Sequence, residues 1–282
     1  MNDPLRDALH APAPHRAVLP TRLERRRAFK LLGGVALMAL AGCASHRTTA
    51  SSTTTSTTSG SSSTSTSRTT TDASCSAAIP EETAGPYPAD GSNGPDVLMQ
   101  DGVVRGDIRS SFGSASGVAD GVPLTIRLTV LDRATCSPLE GSAVYLWHCN
   151  IDGLYSIYSP AISDENYLRG VQQADRDGAV TFTSIFPAAD SGRWPHIHFE
   201  VYSSLGEATS AGRRLATSQI ALPEDTCTLV YATDGYRQSV TTLSRSSLAT
   251  DNVFGDDRAV HQLATITGTL DDGLVAALSA PA

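Results

Sequence analysis

From residue 123 onward the chain alternates apolar and polar residues in short runs separated by turn residues. In Pro123 to Asp132 (PLTIRLTVLD), Leu124, Ile126, Leu128 and Val130 alternate with polar neighbours, which predicts a half-buried strand. Ala143 to His148 (AVYLWH) predicts a second strand. Ala179 to Phe186 (AVTFTSIF) predicts a third, with Val180, Phe182 and Ser184 on one face. His196 to Tyr202 (HIHFEVY) and Leu215 to Leu222 (LATSQIAL) follow, then His261 to Leu278 as a hairpin around Asp271-Asp272-Gly273. Asn150 to Gly153 and Asp175 to Gly178 read as further turns. Helical periodicity is confined to Glu224 to Ala232. Short strands at this spacing predict an all-β fold, an antiparallel β-sandwich, in one domain of residues 75–282 with no internal repeat.

The first 74 residues read differently. Arg25-Arg26-Arg27-Ala28-Phe29-Lys30 precedes a run of apolar and small residues from Leu31 to Gly42. That run is too short for a hydrocarbon core of about 30 Å at about 1.5 Å per residue. With its basic flank it predicts an export signal over residues 1–42. Arg26-Arg27-x-Phe29-Lys30 resembles a twin-arginine signal, and Leu40-Ala41-Gly42-Cys43 resembles a lipobox in which Cys43 carries lipid. The competing reading is an ordinary signal peptide with Cys43 incidental. Residues 43–74 are nearly all Ser, Thr, Ala and Gly, a composition that cannot offset chain entropy by burial, so they predict a solvated tether. The expectation is an exported protein, either a cell-envelope lipoprotein touching the membrane only through Cys43 or a secreted one.

The chain carries a net charge of −8, and from Cys43 onward 14 Lys and Arg face 26 Asp and Glu. So acidic a surface excludes nucleic acid as a partner, since phosphate binding needs a basic face. Of the five cysteines, four remain once Cys43 is set aside: Cys75, Cys136, Cys149 and Cys227. In an exported protein an even set predicts two disulfides, with three connectivities open. A homodimer is left open.

The candidate chemistry sits in two stretches. In Trp194-Pro195-His196-Ile197-His198-Phe199-Glu200, residues i and i+2 of a strand share a face, so His196 and His198 present two imidazoles side by side. Ile197 and Phe199 anchor the opposite face. Arg193 lies close by and suits an anion or charge developing in a reaction. In Trp147 to Tyr158, a strand, a turn and Gly153-Leu154-Tyr155 aim a phenol into a sandwich interior or its mouth. Ionising such a phenol, with a pKa of about 10, calls for a strong influence such as a trivalent metal. His148 reads as a structural histidine. No nucleophile elbow, P-loop or dinucleotide fingerprint occurs.

Together these stretches resemble the intradiol ring-cleavage dioxygenases, the catechol and protocatechuate dioxygenase family. The resemblance covers most of residues 80–222. Glu82-Thr83-Ala84-Gly85-Pro86-Tyr87-Pro88 is similar to the family's Gly-Pro-aromatic segment, and Val104 to Arg109 to its Arg-x-Asp-Ile stretch. Trp147 to Tyr155 resembles the strand that ends in a Gly-x-Tyr iron ligand. Gly192 to Phe199 resembles the Arg-x-x-His-x-His block, and Thr217-Ser218-Gln219 the following Thr-Gln strand. The resemblance implies a β-sandwich holding non-haem Fe(III) through two tyrosinates and two histidines. It also implies a catechol-type diol and O2 as substrates and ring opening between the hydroxyl-bearing carbons to a muconate-type product. Tyr155, His196 and His198 would be ligands, Arg193 would stabilise negative charge on the substrate, and Gln219 would orient it.

One position departs from the family. Where its second tyrosine ligand stands, six residues before the first histidine, this chain has Asp190, and the loop from Phe186 to Pro195 holds no tyrosine. Three readings follow: Asp190 ligates iron and serves as base, the iron keeps three protein ligands and turns over slowly, or a non-catalytic binding module retains part of the site. Tyr158 and Tyr167 are the other phenols nearby in sequence. A copper or zinc site built on the histidine pair alone is a further alternative, although it would use neither Tyr155 nor Arg193.

Overall fold

The alternating run that opens the domain turns Leu124, Ile126, Leu128 and Val130 into the core and leaves Pro123 and Arg127 outside, as strand β1 (Pro123–Leu131). The computed structural model describes residues 77–282 apart from Ser191 and Ala211. The expected export signal, Cys43, the tether and Cys75 lie outside the described residues. Seven further strands follow: β2 (Ala143–Trp147), β3 (Arg169–Gln173), β4 (Ala179–Ile185), β5 (His196–Tyr202), β6 (Arg214–Ala221), β7 (Thr265–Thr269) and β8 (Gly273–Pro281). Short helices α1 (Leu205–Ala208), α2 (Glu224–Tyr231) and α3 (Arg237–Leu243) fill connections.

The strands form two four-stranded sheets, ordered β4-β1-β8-β7 and β3-β2-β5-β6. All pairings are antiparallel except β1 with β8, where the chain returns parallel to its first strand. The main core lies between the sheets. Leu124, Ile126 and Leu128 of β1, Phe182 of β4 and Leu274 of β8 meet Val144 and Leu146 of β2, Ile197, Phe199 and Val201 of β5, and Ile220 of β6. Each such side chain taken from water contributes roughly 1.5–3 kcal/mol, which holds the sheets face to face.

The second sheet is buried on both sides. Its outer face carries Ala143, Tyr145 and Trp147 of β2, Val171 of β3 and Tyr202 of β5, packed with Ala89, Val97, Leu98 and Val103 from the segment before β1. Every residue of β2 and of β5 is therefore buried. That double coverage is what lets polar groups on the outer face form an enclosed site.

Two expectations need correction. No disulfide joins Cys136, Cys149 and Cys227. Cys227 packs in the main core and Cys149 in the outer-face cluster, each as a small apolar residue, while Cys136 is exposed in a turn. The last hairpin begins at Thr265 rather than His261, because residues 252–262 form consecutive turns.

Candidate functional site

His196 and His198 lie on the outer face of β5, with Ile197 and Phe199 in the core behind them. The His198 ring stacks on its cross-strand neighbour Trp147, with ring centres 5.0 Å apart and planes 3° from parallel. His196 Nδ1 lies 2.6 Å from the carbonyl oxygen of Trp194. A carbonyl only accepts, so Nδ1 carries the proton and Nε2 the lone pair. That Nε2 lies 3.0 Å from His198 Nε2. His198 Nδ1 is buried without a partner, so this ring can take either tautomer. Burial holds both imidazoles below their ordinary pKa, His198 well below, so both are neutral near pH 7.

Tyr155 is delivered by the turn before it. Asn150 Oδ1 accepts from the backbone N–H of Asp152 (3.0 Å) and Leu154 (2.9 Å), and Gly153 takes a φ of +75°. The positive φ is what calls for glycine here, since a Cβ would meet Asp190 Cα only at an ordinary 3.4 Å. The expected phenol direction is corrected by the structure. Tyr155 does not enter the space between the sheets but lies in the outer-face cluster, its hydroxyl 3.5 Å from His196 Nε2. Its hydroxyl donates to Asp190 Oδ2 at 3.2 Å. Burial, together with the adjacent Asp190 carboxylate, raises the Tyr155 phenol well above its usual pKa.

Asp190 thus stands beside the phenol, and its Oδ1 is buried without a partner. Among the described residues, no three His, Cys, Asp or Glu side chains are grouped to hold a metal ion. The convergent set depends on the Tyr155 oxygen.

Arg193 reaches the same place from below. Its Nη1 lies 3.5 Å from His196 Nε2, its Nε donates to Asp251 Oδ2 (2.9 Å), and its Nη2 donates to Gln219 Oε1 (2.8 Å). Gln219 is buried, and its amide nitrogen donates to the Thr83 carbonyl at 2.8 Å. Both ends of Gln219 are therefore engaged, so it holds Arg193 and the Thr83 segment instead of facing the cavity. Tyr158 points elsewhere, its hydroxyl bonded to Ala89 N–H and Asn93.

A strap, residues 81–88, roofs the site. Glu82 N–H donates to Thr217 O of β6 at 2.7 Å, and Gly85 passes so close that a Cβ there would stand 3.1 Å from His198 Cε1. Tyr87 stacks near Tyr155, with ring centres 4.7 Å apart, and is 36% exposed. Between strap and sheet lies a cavity of about 480 Å³ whose lining includes Tyr87, Tyr155, Asp190, Arg193, His196 and His198. Sequence reasoning missed Asp251 and Asn252, which no motif marks.

His148 turns to the opposite face. Its Nδ1 meets the Cys149 carbonyl at 2.8 Å and its Nε2 the Ser184 hydroxyl at 2.7 Å. Burial pushes its pKa down to about 4. The unfolded chain, near 6.5, therefore takes up this proton first as pH falls. The stabilisation is complete above about pH 6.5 and is lost towards pH 4, amounting to about 3 kcal/mol. Denaturant unfolding at several pH values checks this. The acid-side slope should flatten in His148→Gln, and parallel curves for the two proteins would refute the assignment.

The architecture is the intradiol dioxygenase β-sandwich, and the site lies on the outer face of its second sheet. A family model described as Dioxygenase matches residues 93–193, about a third of the chain. Among solved structures, an intradiol ring-cleavage dioxygenase from Tetranychus urticae is 25% identical, covering 72% of this chain and 93% of that one with a TM-score of 0.58. Chlorocatechol 1,2-dioxygenase of Rhodococcus opacus is 41% identical over 51 residues, 18% of this chain. The match spans 20% of that relative's length.

Proposed function

We propose that this protein binds non-haem Fe(III) through Tyr155, His196 and His198 and opens catechol-type rings between the two hydroxyl-bearing carbons with O2. The observation that carries the reading is the convergence of His196 Nε2, His198 Nε2 and the Tyr155 hydroxyl within 3.0–3.5 Å links at the cavity. His196 Nε2 and His198 Nε2, 3.0 Å apart on one face of β5, are the two nitrogens that would hold an ion together. A phenolate is a hard donor suited to a ferric ion, and imidazole is acceptable to iron. The similarity to intradiol dioxygenases supports the same choice.

When bound, the ferric ion supplies the Lewis acidity that lowers phenol and catechol pKa values and activates the ring towards O2. The chain's own residues do the rest. The Tyr155 proton leaves towards Asp190 Oδ2, the acceptor already in contact with it. One carboxylate holds one proton at a time, so Asp190 Oδ1, buried and unpartnered, would accept a substrate hydroxyl proton only after the Tyr155 proton has passed from Asp190 to water. Arg193 Nη1 faces the cavity and meets negative charge on the substrate. Tyr87 provides an aromatic wall, and the strap restricts water.

Iron content and a visible spectrum of the full-length chain test the reading. Near-stoichiometric iron with a tyrosinate charge-transfer band that shifts on adding catechol is the expected result; a colourless protein that stays so after reconstitution would sink it.

A second reading, a metal-binding protein with weak turnover, is favoured by Asp190. A carboxylate is intrinsically a far weaker base than a phenolate, about 3.9 against about 10. Asp190→Tyr should therefore raise the ring-cleavage rate by at least about tenfold, the gain that a positioned general base gives being larger still. No gain with iron still bound would remove the idea that Asp190 limits turnover.

A further inference from the structure

We propose that Asp251 is the positioning residue that aims Arg193 at the cavity, an inference that rests on the function proposed above. The two side chains form a bidentate fork: Arg193 Nε to Asp251 Oδ2 at 2.9 Å and Nη2 to Oδ1 at 3.2 Å. A planar guanidinium held on two parallel bonds has one orientation left. Gln219 Oε1 takes a further bond from Nη2, and the Phe254 ring lies 5.7 Å from the guanidinium carbon. These contacts engage Nε, Nη2 and the ring-facing side of the group. Nη1 is the end that reaches His196 and the cavity.

Asp251 is itself immobile. Its side chain is 0% exposed, against 15% for Arg193. Oδ2 also accepts from Trp194 N–H at 2.7 Å, and Oδ1 accepts from Val253 N–H (2.9 Å) and Phe254 N–H (3.1 Å). Burial would raise this carboxyl, but the Arg193 guanidinium and these N–H groups outweigh it and keep it below the usual carboxylate range. One carboxylate therefore fixes both the Arg193 side chain and the backbone of the next residue, two positions before His196. It also supplies the counter-charge without which a largely buried cation would swing towards the nearest other acceptor.

A purely structural Asp251 would affect stability and act independently of Arg193. A positioning Asp251 acts through it. The test is a double-mutant cycle in the full-length chain with Asp251→Asn, Arg193→Gln and the pair, reading kcat and KM for catechol cleavage in the iron-loaded proteins. Asp251→Glu serves as the conservative variant. A second readout is the side-chain NMR signal of Arg193 Nε–H in the metal-free protein. Asp251→Asn should lower kcat about tenfold or more while KM moves less, Asp251→Glu should recover part of the loss, and the double variant should match Arg193→Gln alone. The protected Nε–H signal should vanish in Asp251→Asn while the rest of the spectrum stays folded. Additive losses, unchanged turnover in Asp251→Asn, or a signal that does not respond would overturn the proposal. A wild-type chain that binds iron but cleaves no catechol, or binds none, counts against the functional reading instead. The NMR signal then still decides whether Asp251 holds Arg193.

Discussion

Under the proposed Fe(III) reading, replacing His198 with alanine should strip iron from the protein and with it the tyrosinate absorption and any ring cleavage. Two imidazoles on one strand are a preformed chelate, because β5 fixes their separation before any ion arrives. Removing one leaves a single imidazole and a phenol that burial keeps protonated, with only the Asp190 carboxylate beside them, so the two-nitrogen chelate is lost. Groups that merely orient a ligand are worth about 10–100-fold in metal affinity, so losing the ligand itself should cost more than about a hundredfold. The fold should survive. His198 contributes its stacking on Trp147 and has an unpartnered Nδ1, and its loss opens a space at the cavity wall rather than in the core between the sheets. Elemental analysis and circular dichroism on the same sample separate the two effects. A folded His198→Ala protein that keeps its iron and its visible band would show that the histidine pair is not the anchor.

The pairing of His196 with His198 was legible because a strand's period of two is a property of the backbone, and HIHFEVY states it without help from the rest of the chain. The same rule gave β1 and β4. It did not show that the histidine face is covered, since a period of two says which residues share a side and not what lies above them. The cover comes from the segment before β1, which has no periodicity and takes its shape from contacts such as Tyr145 hydroxyl to Pro88 carbonyl. Strand β3 escaped for a related reason: RGVQQ holds one β-branched residue, and its place comes from pairing with β2. Asp251 was invisible because 58 positions separate it from Arg193, and an aspartate within a run of turns carries no signal of its partner. The cysteine arithmetic failed because counting assumes that thiols are there to be joined. Cys149 and Cys227 instead fill apolar space.

Arg169→Met should destabilise the domain by about 3–5 kcal/mol, the range reached when a buried polar network is broken. Arg169 is 1% exposed, and among the described residues no carboxylate pairs with it. Its charge is met by oxygen acceptors: Nε to Ser156 Oγ (3.0 Å), Nη2 to Ser156 O (2.9 Å), and Nη1 to Tyr87 O (3.1 Å), Pro88 O (3.2 Å) and the Tyr145 hydroxyl (3.1 Å). Two effects compete. Taking a cation out of a buried place relieves desolvation, and apolar replacements of buried ions are sometimes neutral or stabilising. Here the carbonyls of Ser156 and Tyr87 would be left without this donor in a closed space, at about 1–3 kcal/mol each, and no movement of methionine can supply one. The orphaned acceptors should win. The loss also reaches the site, because Arg169 ties the Tyr87 strap to the loop that carries Tyr155. Iron affinity should therefore fall even under conditions where the variant stays folded. Arg169→Lys, which keeps the charge but not the fork, should lie between wild type and Arg169→Met in denaturant unfolding. A methionine variant as stable as the wild type would mean that the strap and the Tyr155 loop are held by other contacts.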